Sequence, residues 1–292
     1  MISILIPTYN YDCYKLVKEL HSQLMLCGED YELIVAEDGS KDQVSIIANH
    51  KITELSQCRH IVNKSNLGRA RIINFLVKEA SGEWCVIMDS DAKVVSDDFI
   101  KRYIPYTKQN CDVVVGSLVN PKELPNPDAT LRYKYEKKAE GYRTTAYRNE
   151  HPYERFSTFN FMARRSVLLE VPFDARCTEY GYEDTLMGLE LKRKGKKVLH
   201  IDNPLMHLGF DSNSVFLGKT ETSLHSLKKI EKDMLPYTPL GRLVIKLRRM
   251  RLASTVSAIF KYIQPLLKSN LLGNRPNLTI FSFYKLGYYL SL

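Results

Sequence analysis

Short apolar runs alternate with helix-periodic segments from Ile2 to Val115, and this alternation constrains the fold more than any other feature of the chain. The predicted strands are 2–6, 31–36, 60–62, 84–88 and 113–115, and the predicted helices are 14–26, 44–55, 68–80 and one that Ser96 caps. Strands that are apolar on both faces and alternate with helices are typical of a parallel sheet covered on both sides. We therefore expect an α/β sandwich with a mostly parallel central sheet.

Polar clusters follow three of these predicted strands at or near the point where each strand ends. They are Thr8-Tyr9-Asn10, Glu37-Asp38-Gly39-Ser40 and Asp89-Ser90-Asp91. In open α/β sheets, ligands bind outside the carboxyl ends of the strands. The connectivity alone therefore predicts a binding site at this edge of the sheet.

The pair Asp89 and Asp91 is the strongest candidate for a metal motif, because it follows a five-residue apolar run directly. Mg²⁺ and Mn²⁺ prefer carboxylate oxygens and often bridge one or two carboxylates and substrate phosphates. His207 is the candidate third ligand, since neutral imidazole can bind such a metal. The structural alternatives are a solvated turn at 89–91 and a histidine that serves only packing.

Three further acidic residues are candidate site residues. Glu183 and Asp184 open a predicted helix, where a rigidly held carboxylate could act as a general base. The alternative is that both acids only complement the helix dipole. Asp38 could accept the N–H of a pyrimidine ring, or it could be part of an ordinary turn.

The pattern of strands and helices is less regular in the second half of the chain. A segment at 118–156, rich in Pro, Tyr and charge, is predicted to be a loop and then a helix that covers the site. A strand at 156–163, a helix at 183–194, a strand at 197–201 and a helix at 217–234 follow. Apolar stripes continue from Leu240 to Ile263, and Pro265 is expected to end that helix.

The net charge of +9 is concentrated at one end of the sequence. Residues 236–292 hold nine Lys and Arg but no Asp or Glu, and these basic residues are interleaved with apolar stripes. This pattern favours an amphipathic helical extension on an anionic membrane surface. Binding of nucleic acid by the same charges is the alternative, and we do not expect it.

The hydropathy, the N-terminal residues and the cysteine content of the chain predict its cellular location. No apolar run approaches the length needed to span a bilayer, and the N-terminus lacks the features of a signal peptide. Six cysteines without a C-x-x-C pair suggest a reducing compartment. We expect a cytoplasmic protein, peripheral on the inner face of the cytoplasmic membrane.

Taken in order, these motifs resemble family 2 inverting glycosyltransferases, which have a Rossmann-like αβα sandwich called the GT-A fold. The matching segments are 3–10, 37–40, 66–74, 80–91 and 181–184, so the resemblance covers residues 1–235. It implies a nucleotide-diphosphate sugar donor, preferably a UDP-sugar, a divalent metal (Mn²⁺ or Mg²⁺), and a glycan or lipid-linked acceptor in surface polysaccharide synthesis.

The resemblance also assigns roles to individual positions. Asp91, Asp89 and His207 would hold the metal, Asp184 would be the catalytic base, and Glu183 would orient the sugar or the base. The stretch 156–161 would border the acceptor. The donor would be bound by Pro7, Thr8, Tyr9, Asp38, Asn66, Gly68, Arg71, Asp89 and Ser90.

This sequence departs from the family pattern at two positions. Glu37 stands where the family usually has Asp, and Ile73 stands where it often has Arg. Arg71 is the candidate replacement, with Arg69 as the other possibility, although both are expected to point elsewhere on the helix.

Two other functions compete with this reading. A sugar nucleotidyltransferase would also bind its ligand at this edge of the sheet, but that class of enzyme usually has a Gly-rich loop after its first strand. A non-catalytic membrane-binding or nucleic-acid-binding module would use the basic segment alone.

Overall fold

The computed structural model describes residues 1–176 and 181–292. Within them the chain forms two compact units. The first comprises Met1–Pro121, the described residues of Glu140–Thr178, and Glu183–Gly209. The second comprises Lys122–Ala139, the described residues of Glu179–Tyr182, and Phe210–Leu292.

An eight-stranded sheet forms the centre of the first unit. Its strands are β1 (Ile2–Thr8), β2 (Tyr31–Glu37), β3 (Cys58–Val62), β4 (Trp84–Met88), β5 (Ala92–Val94), β6 (Val113–Val119), β7 (Asn160–Arg164) and β8 (Val198–His207). The strand order is β3-β2-β1-β4-β7-β6-β8-β5. The first four strands in this order pair in parallel, as do β6 and β8, whereas β7 is antiparallel to both of its neighbours and β5 to β8.

Six α-helices belong to this unit within the described residues. They are α1 (Tyr14–Leu26), α2 (Gln43–His50), α3 (Arg69–Glu79), α5 (Thr145–Glu150), α6 (Arg165–Glu170) and α7 (Glu183–Arg193). Two of them, α1 and α3, bury clearly apolar faces. These faces are built from leucine, isoleucine and valine at helical spacing, such as Leu16, Leu20 and Leu24 in α1, and these side chains are buried. The fully buried strands β1 and β4 therefore have both faces covered.

Several predicted elements differ from those observed. The helix predicted at 44–55 ends at His50, and the chain continues as a 3-10 helix at Lys51–Glu54. No α-helix follows Ser96: the chain makes successive turns and then a 3-10 helix at Ile104–Lys108, where Pro105 lacks the amide that an α-helix needs. The strand predicted at 156–163 begins only at Asn160. The strand predicted at 197–201 continues to His207, with Pro204 placed next to an irregularity in the β6–β8 register.

The second unit is helical. It contains α4 (Thr130–Ala139), α8 (Asn213–Lys229), α9 (Glu231–Met234), α10 (Pro239–Arg249), α11 (Ala253–Leu272) and α12 (Leu278–Ser291). Pro265 does not end α11 as expected, because the helix continues past it. Gly287 of α12 lies so close to α11 that a Cβ there would be 2.3 Å from the ring of Phe260.

The boundary between the units differs from the predicted boundary at residue 235. Helix α8 belongs with α11 and α12, because its Phe216 and Leu217 share an apolar core with Phe260, Phe281 and Tyr284. The role of 236–292 as a membrane-associated extension stays a prediction. Among the described helices, none combines the length and the apolar character that crossing a bilayer requires.

Candidate functional site

The loops after β1 and β2 are joined by hydrogen bonds at the predicted edge of the sheet. Asn10 adopts a left-handed conformation with φ of 50°, and its side-chain oxygen accepts the amides of Lys41 and Asp42 at 2.7 and 3.0 Å. Its own amide donates to Ser40 Oγ at 2.8 Å. Two of the predicted polar clusters therefore form one continuous surface.

The predicted donor residues of the first loop differ in their exposure. Pro7 and Thr8 lie within β1 and are buried, and Thr8 Oγ1 donates to the carbonyl of Tyr11 at 3.1 Å. Tyr9 is the accessible member, with half of its surface exposed. Only Tyr9 can therefore offer a large face to a ligand without rearrangement.

Asp38 and the neighbouring Glu37 hold the loops in place. Asp38 accepts the amides of Leu67 and Gly68 at 2.7 and 3.0 Å. Burial raises the pKa of Asp38, and these two amides oppose the rise. Gly39, with φ of +69°, lies against the same loop, and a Cβ there would be 2.3 Å from the Asn66 amide.

Glu37 faces the interior and not the edge. Its carboxylate is fully buried and accepts from Asn49 at 2.8 Å and from Ser40, while His60 Nε2 lies 3.3 Å away. Burial raises the pKa of Glu37, but these polar neighbours outweigh it and lower the pKa overall. Glu37 therefore acts on the site by shaping the loop that carries Asp38.

Asp91 and His207 form the candidate metal pair. Asp91 follows β4 and His207 ends β8, and Asp91 Oδ2 lies 3.3 Å from His207 Nε2. The antiparallel pairing of β5 with β8 sets this proximity, because Ala92 is opposite His207. Gly209 lies close against this pair: a Cβ there would be 1.9 Å from Asp91 Oδ2 and 3.2 Å from His207 Nε2.

Asp89 has a different partner from Asp91. Its carboxylate accepts from the guanidinium of Arg69, which also donates to Thr158 Oγ1 at 2.8 Å. Thr158 Oγ1 in turn donates to Asp184 Oδ1 at 2.6 Å, and Arg69 Nε lies 3.7 Å from Glu183 Oε1. One arginine and one threonine thus connect the 89–91 motif with the pair that opens α7.

The charges of this cluster act on one another. Burial lowers the pKa of Arg69, but the carboxylates of Asp89, Asp184 and Glu183 outweigh it, so the guanidinium stays charged. Burial raises the pKa of Asp89, with Asp91 and Asp184 adding to the rise and Arg69 opposing it. Arg69 is the cation that allows these acids to lie close together.

The residues present fit a metal that takes only part of its ligands from the protein. Among the residues that the structure describes, no three His, Cys, Asp or Glu side chains form a group that could hold a metal ion. Asp91 and His207 do form a pair, and Gly209, which has no side chain, lies close against it. Mg²⁺ and Mn²⁺ sites often use one or two carboxylates and complete the shell with phosphate and water.

A cleft of about 270 Å³ begins at Asp184 and Thr185. Its walls include Phe156, Ser157 and Phe159, from the stretch predicted to border the acceptor. Beneath it, the buried Arg148 donates to the carbonyls of Gly116 and Ile201 at 2.6 and 2.9 Å. Burial lowers the pKa of the adjacent His200 to about 4, so that its Nδ1 can accept from Arg148.

The remaining predicted donor residues are not all brought to this cluster. Asn66 is exposed and accepts the amide of Gly68, which has φ of 83° and precedes α3. Ser90 is half-buried in the turn between Asp89 and Asp91. Arg71 is exposed and points to the carbonyl of Ala175 at 3.3 Å.

Sequence reasoning named Arg69 only as a second possibility and Thr158 only as part of the stretch 156–161, and it did not predict the contact between them. Arg69 was expected to point away from the site, but it is the first residue of α3, where its side chain can turn back towards Asp89. The signal for it was the absence of Arg at position 73 combined with a basic residue directly after Gly68. For Thr158 the only signal was its place in the stretch 156–161, which the resemblance assigned to the acceptor border.

Comparison with known proteins supports one family. The model of glycosyl transferase family 2 matches residues 3–171, more than half of the chain. An uncharacterized glycosyltransferase from Haemophilus influenzae is 30% identical over 110 residues, which are 38% of this chain and 43% of that protein. The chain spans less than half the length of the curated relatives it matches.

Two solved structures show the same architecture. The mannosyltransferase PcManGT from Pyrobaculum calidifontis, in complex with GDP-Man and Mn²⁺, is 15% identical with a TM-score of 0.59, covering 99% of this chain and 84% of that one. TarS 1–349 from S. aureus, in complex with UDP-GlcNAc, is 17% identical with a TM-score of 0.50, covering 77% and 66%. At these identities the likeness shows the fold alone, which is the GT-A type. The chain belongs to glycosyltransferase family 2.

Proposed function

We propose that the chain is a metal-dependent, inverting glycosyltransferase that takes a UDP-sugar and transfers the sugar to a hydroxyl of a glycan or lipid-linked acceptor in surface polysaccharide synthesis. The observation that carries the proposal is the connection of Asp89 to Asp184 through Arg69 and Thr158. It gives a metal motif and a candidate base in one cluster, as displacement at a sugar carbon requires.

The residues would divide the chemistry as follows. Asp91 and His207 would hold the divalent cation, and the chemistry that such a cation supplies is neutralisation of charge on the departing diphosphate. Asp184 would take the proton of the acceptor hydroxyl. The hydroxyl oxygen then forms a bond to the anomeric carbon as the bond to the diphosphate breaks on the opposite face, which inverts that carbon.

Asp184→Asn tests the base. We expect transfer to fall by about 10³-fold, because the amide cannot take the proton, while UDP binding stays within about twofold. The transfer rate with a UDP-sugar donor and the UDP affinity by calorimetry are the two measurements. Glu190→Gln, which changes a half-buried acid on the same helix that pairs with Arg193, is the matched control. Transfer by Asp184→Asn at the wild-type rate would show that another group takes the proton.

We also propose that residues 236–292 bind an anionic membrane surface. Ile259, Tyr262 and Leu266 of α11 are exposed by 50%, 88% and 74%, at spacings of three and four residues that place them on one face. Arg248, Arg249 and Arg251 are exposed nearby in sequence. Exposed apolar side chains combined with basic ones are typical of interfacial helices.

Sedimentation with vesicles tests this partner. Vesicles that contain phosphatidylglycerol should retain the chain, and Tyr262→Ser with Leu266→Ser should weaken retention about tenfold, because two apolar anchors are lost. Val44→Ser with Ile47→Ser, exposed apolar residues of α2, is the control. Equal retention of both double variants, or stronger retention by DNA, would contradict the proposal.

A further inference from the structure

The cleft that begins at Asp184 carries basic groups that the proposed chemistry does not use. Besides Arg148, which is tied to backbone carbonyls below the cleft, Arg143 and Arg155 line its wall. Arg155 is exposed and Arg143 is half-buried. The acids of the wall are Glu154 and Asp184.

The two acids are each engaged elsewhere. Glu154 lies 3.2 Å from Lys192 Nζ, and burial, which raises its pKa, is outweighed by the local hydrogen bonds and by Lys192, which lower it. Asp184 accepts from Thr158 and faces the charge of Arg69. The described residues give Arg155 no carboxylate within ion-pair distance, so its charge is uncompensated at the cleft.

Two tyrosines hold Arg155 in place. Its guanidinium lies over the rings of Tyr147 and Tyr142, 4.9 and 5.9 Å from their centroids, and donates to Tyr147 Oη at 3.1 Å. Stacking orients the planar guanidinium while leaving N–H groups available. An arginine fixed in this way loses little freedom when it binds an anion.

We propose that this cleft selects acceptors that carry an anionic group, a phosphate or a carboxylate, close to the reacting hydroxyl. Arg155, with Arg143 beside it, would bind that group while the hydroxyl reaches Asp184. The inference rests on the proposed role of Asp184 as the base and names the class of acceptor. Charge-assisted, two-pronged binding by arginine is the recognition that suits both anions.

Acceptor binding can be measured with the full chain saturated with UDP and Mg²⁺, a diamagnetic cation that does not broaden NMR signals, so that the donor site is filled. The probes are glucose 6-phosphate, glucuronate and glucose, followed by saturation-transfer NMR. We expect at least one anionic probe to bind about tenfold more tightly than glucose. Arg155→Gln should reduce that preference at least about fivefold, and Arg143→Gln should act in the same direction.

Arg102→Gln is the matched control, because it removes an equally exposed arginine that pairs with Asp98 outside the cleft. It should leave the preference unchanged, which separates a local site from the general positive charge of the chain. Tighter binding of glucose 6-phosphate than of glucuronate would identify a phosphate ester, and the reverse would identify a carboxylate.

The inference is overturned if the three probes bind equally, or if Arg155→Gln and Arg102→Gln behave alike. Its failure can be distinguished from failure of the proposed function. If the wild-type chain shows no Mn²⁺-dependent binding of UDP, the transferase proposal is contradicted. If UDP binds but anionic probes bind no more tightly than glucose, only the proposal about the acceptor class is contradicted.

Discussion

Two regions of the first unit use their polar groups differently: the predicted donor edge, formed by the loops after β1 and β2, and the cleft that begins at Asp184. At the donor edge, Asp38 and Asn10 already accept backbone amides, and Glu37 is fully enclosed. In the cleft, Arg155 is exposed and rests on tyrosine rings without a carboxylate partner in the described part of the chain. The difference teaches that the donor edge is rigidly preformed, whereas the cleft keeps charge available for a variable ligand.

Asp91→Ala tests the candidate metal pair of Asp91 and His207, and it has the largest expected effect of the changes considered for this comparison. We expect it to abolish the tightening of UDP binding by Mn²⁺, a loss of about 30-fold, because a hard cation loses its carboxylate. Calorimetric titration of UDP with and without Mn²⁺ measures this directly.

Asp97→Ala, which removes a nearby acid outside the pair, serves as the control for Asp91. An unchanged metal response in Asp91→Ala would remove the candidate metal site from the proposal. A loss in both variants would point to general charge and not to a defined pair.

Arg69 contacts Asp89 and also Thr158, which donates to Asp184 at the cleft. A change at Arg69 therefore tests how the two regions depend on each other. Arg69→Ala should lower transfer about tenfold, since Asp89, Glu183 and Asp184 would keep their mutual repulsion without the cation. The acidic limb of the pH–rate profile should also move to higher pH, because carboxylates that lose a neighbouring cation bind protons more tightly. Transfer rates measured from about pH 5 to about pH 8 would show both the lower rate and the shifted acidic limb.

Lys78→Ala is the matched control, an exposed basic residue in the last turn of the same helix, and should stay within about twofold of the wild type. Arg69→Lys should restore part of the rate, because it keeps the charge but not the planar fork. A pH profile in Arg69→Ala that coincides with the wild-type profile would show that Arg69 serves folding alone.

The parallel half of the fold was predictable because each strand there is a short apolar run with helices between. The predicted bounds of α1 and β4 agree with the structure, and those of β1, β2 and α3 differ by one or two residues. Local pattern decides such elements, since both faces of a central strand must be apolar. The helix expected after Ser96 does not form. Pro105 lacks an amide N–H, and Phe99 and Tyr103 pack edge to face within the turns that replace the helix.

The candidate site was predictable as a list of acids but not as a network. The pairing of β5 with β8 brings His207 to Asp91, and this depends on residues more than a hundred positions apart. The sequence could suggest that His207 is a ligand, but only tertiary structure shows that Asp89 pairs with Arg69. Likewise, no local pattern brings Arg155 and Asp184 to one cleft.

Gly209 has a consequence for engineering the enzyme. Even the smallest added side chain would occupy the space beside the Asp91 carboxylate, so this position cannot be varied to alter ligand preference without also displacing the acid. In the cleft wall Arg155 is exposed, so its side chain can be changed without displacing the pair of Asp91 and His207. Libraries aimed at new acceptors would therefore do best to vary that wall and leave the short turn after β8 unchanged.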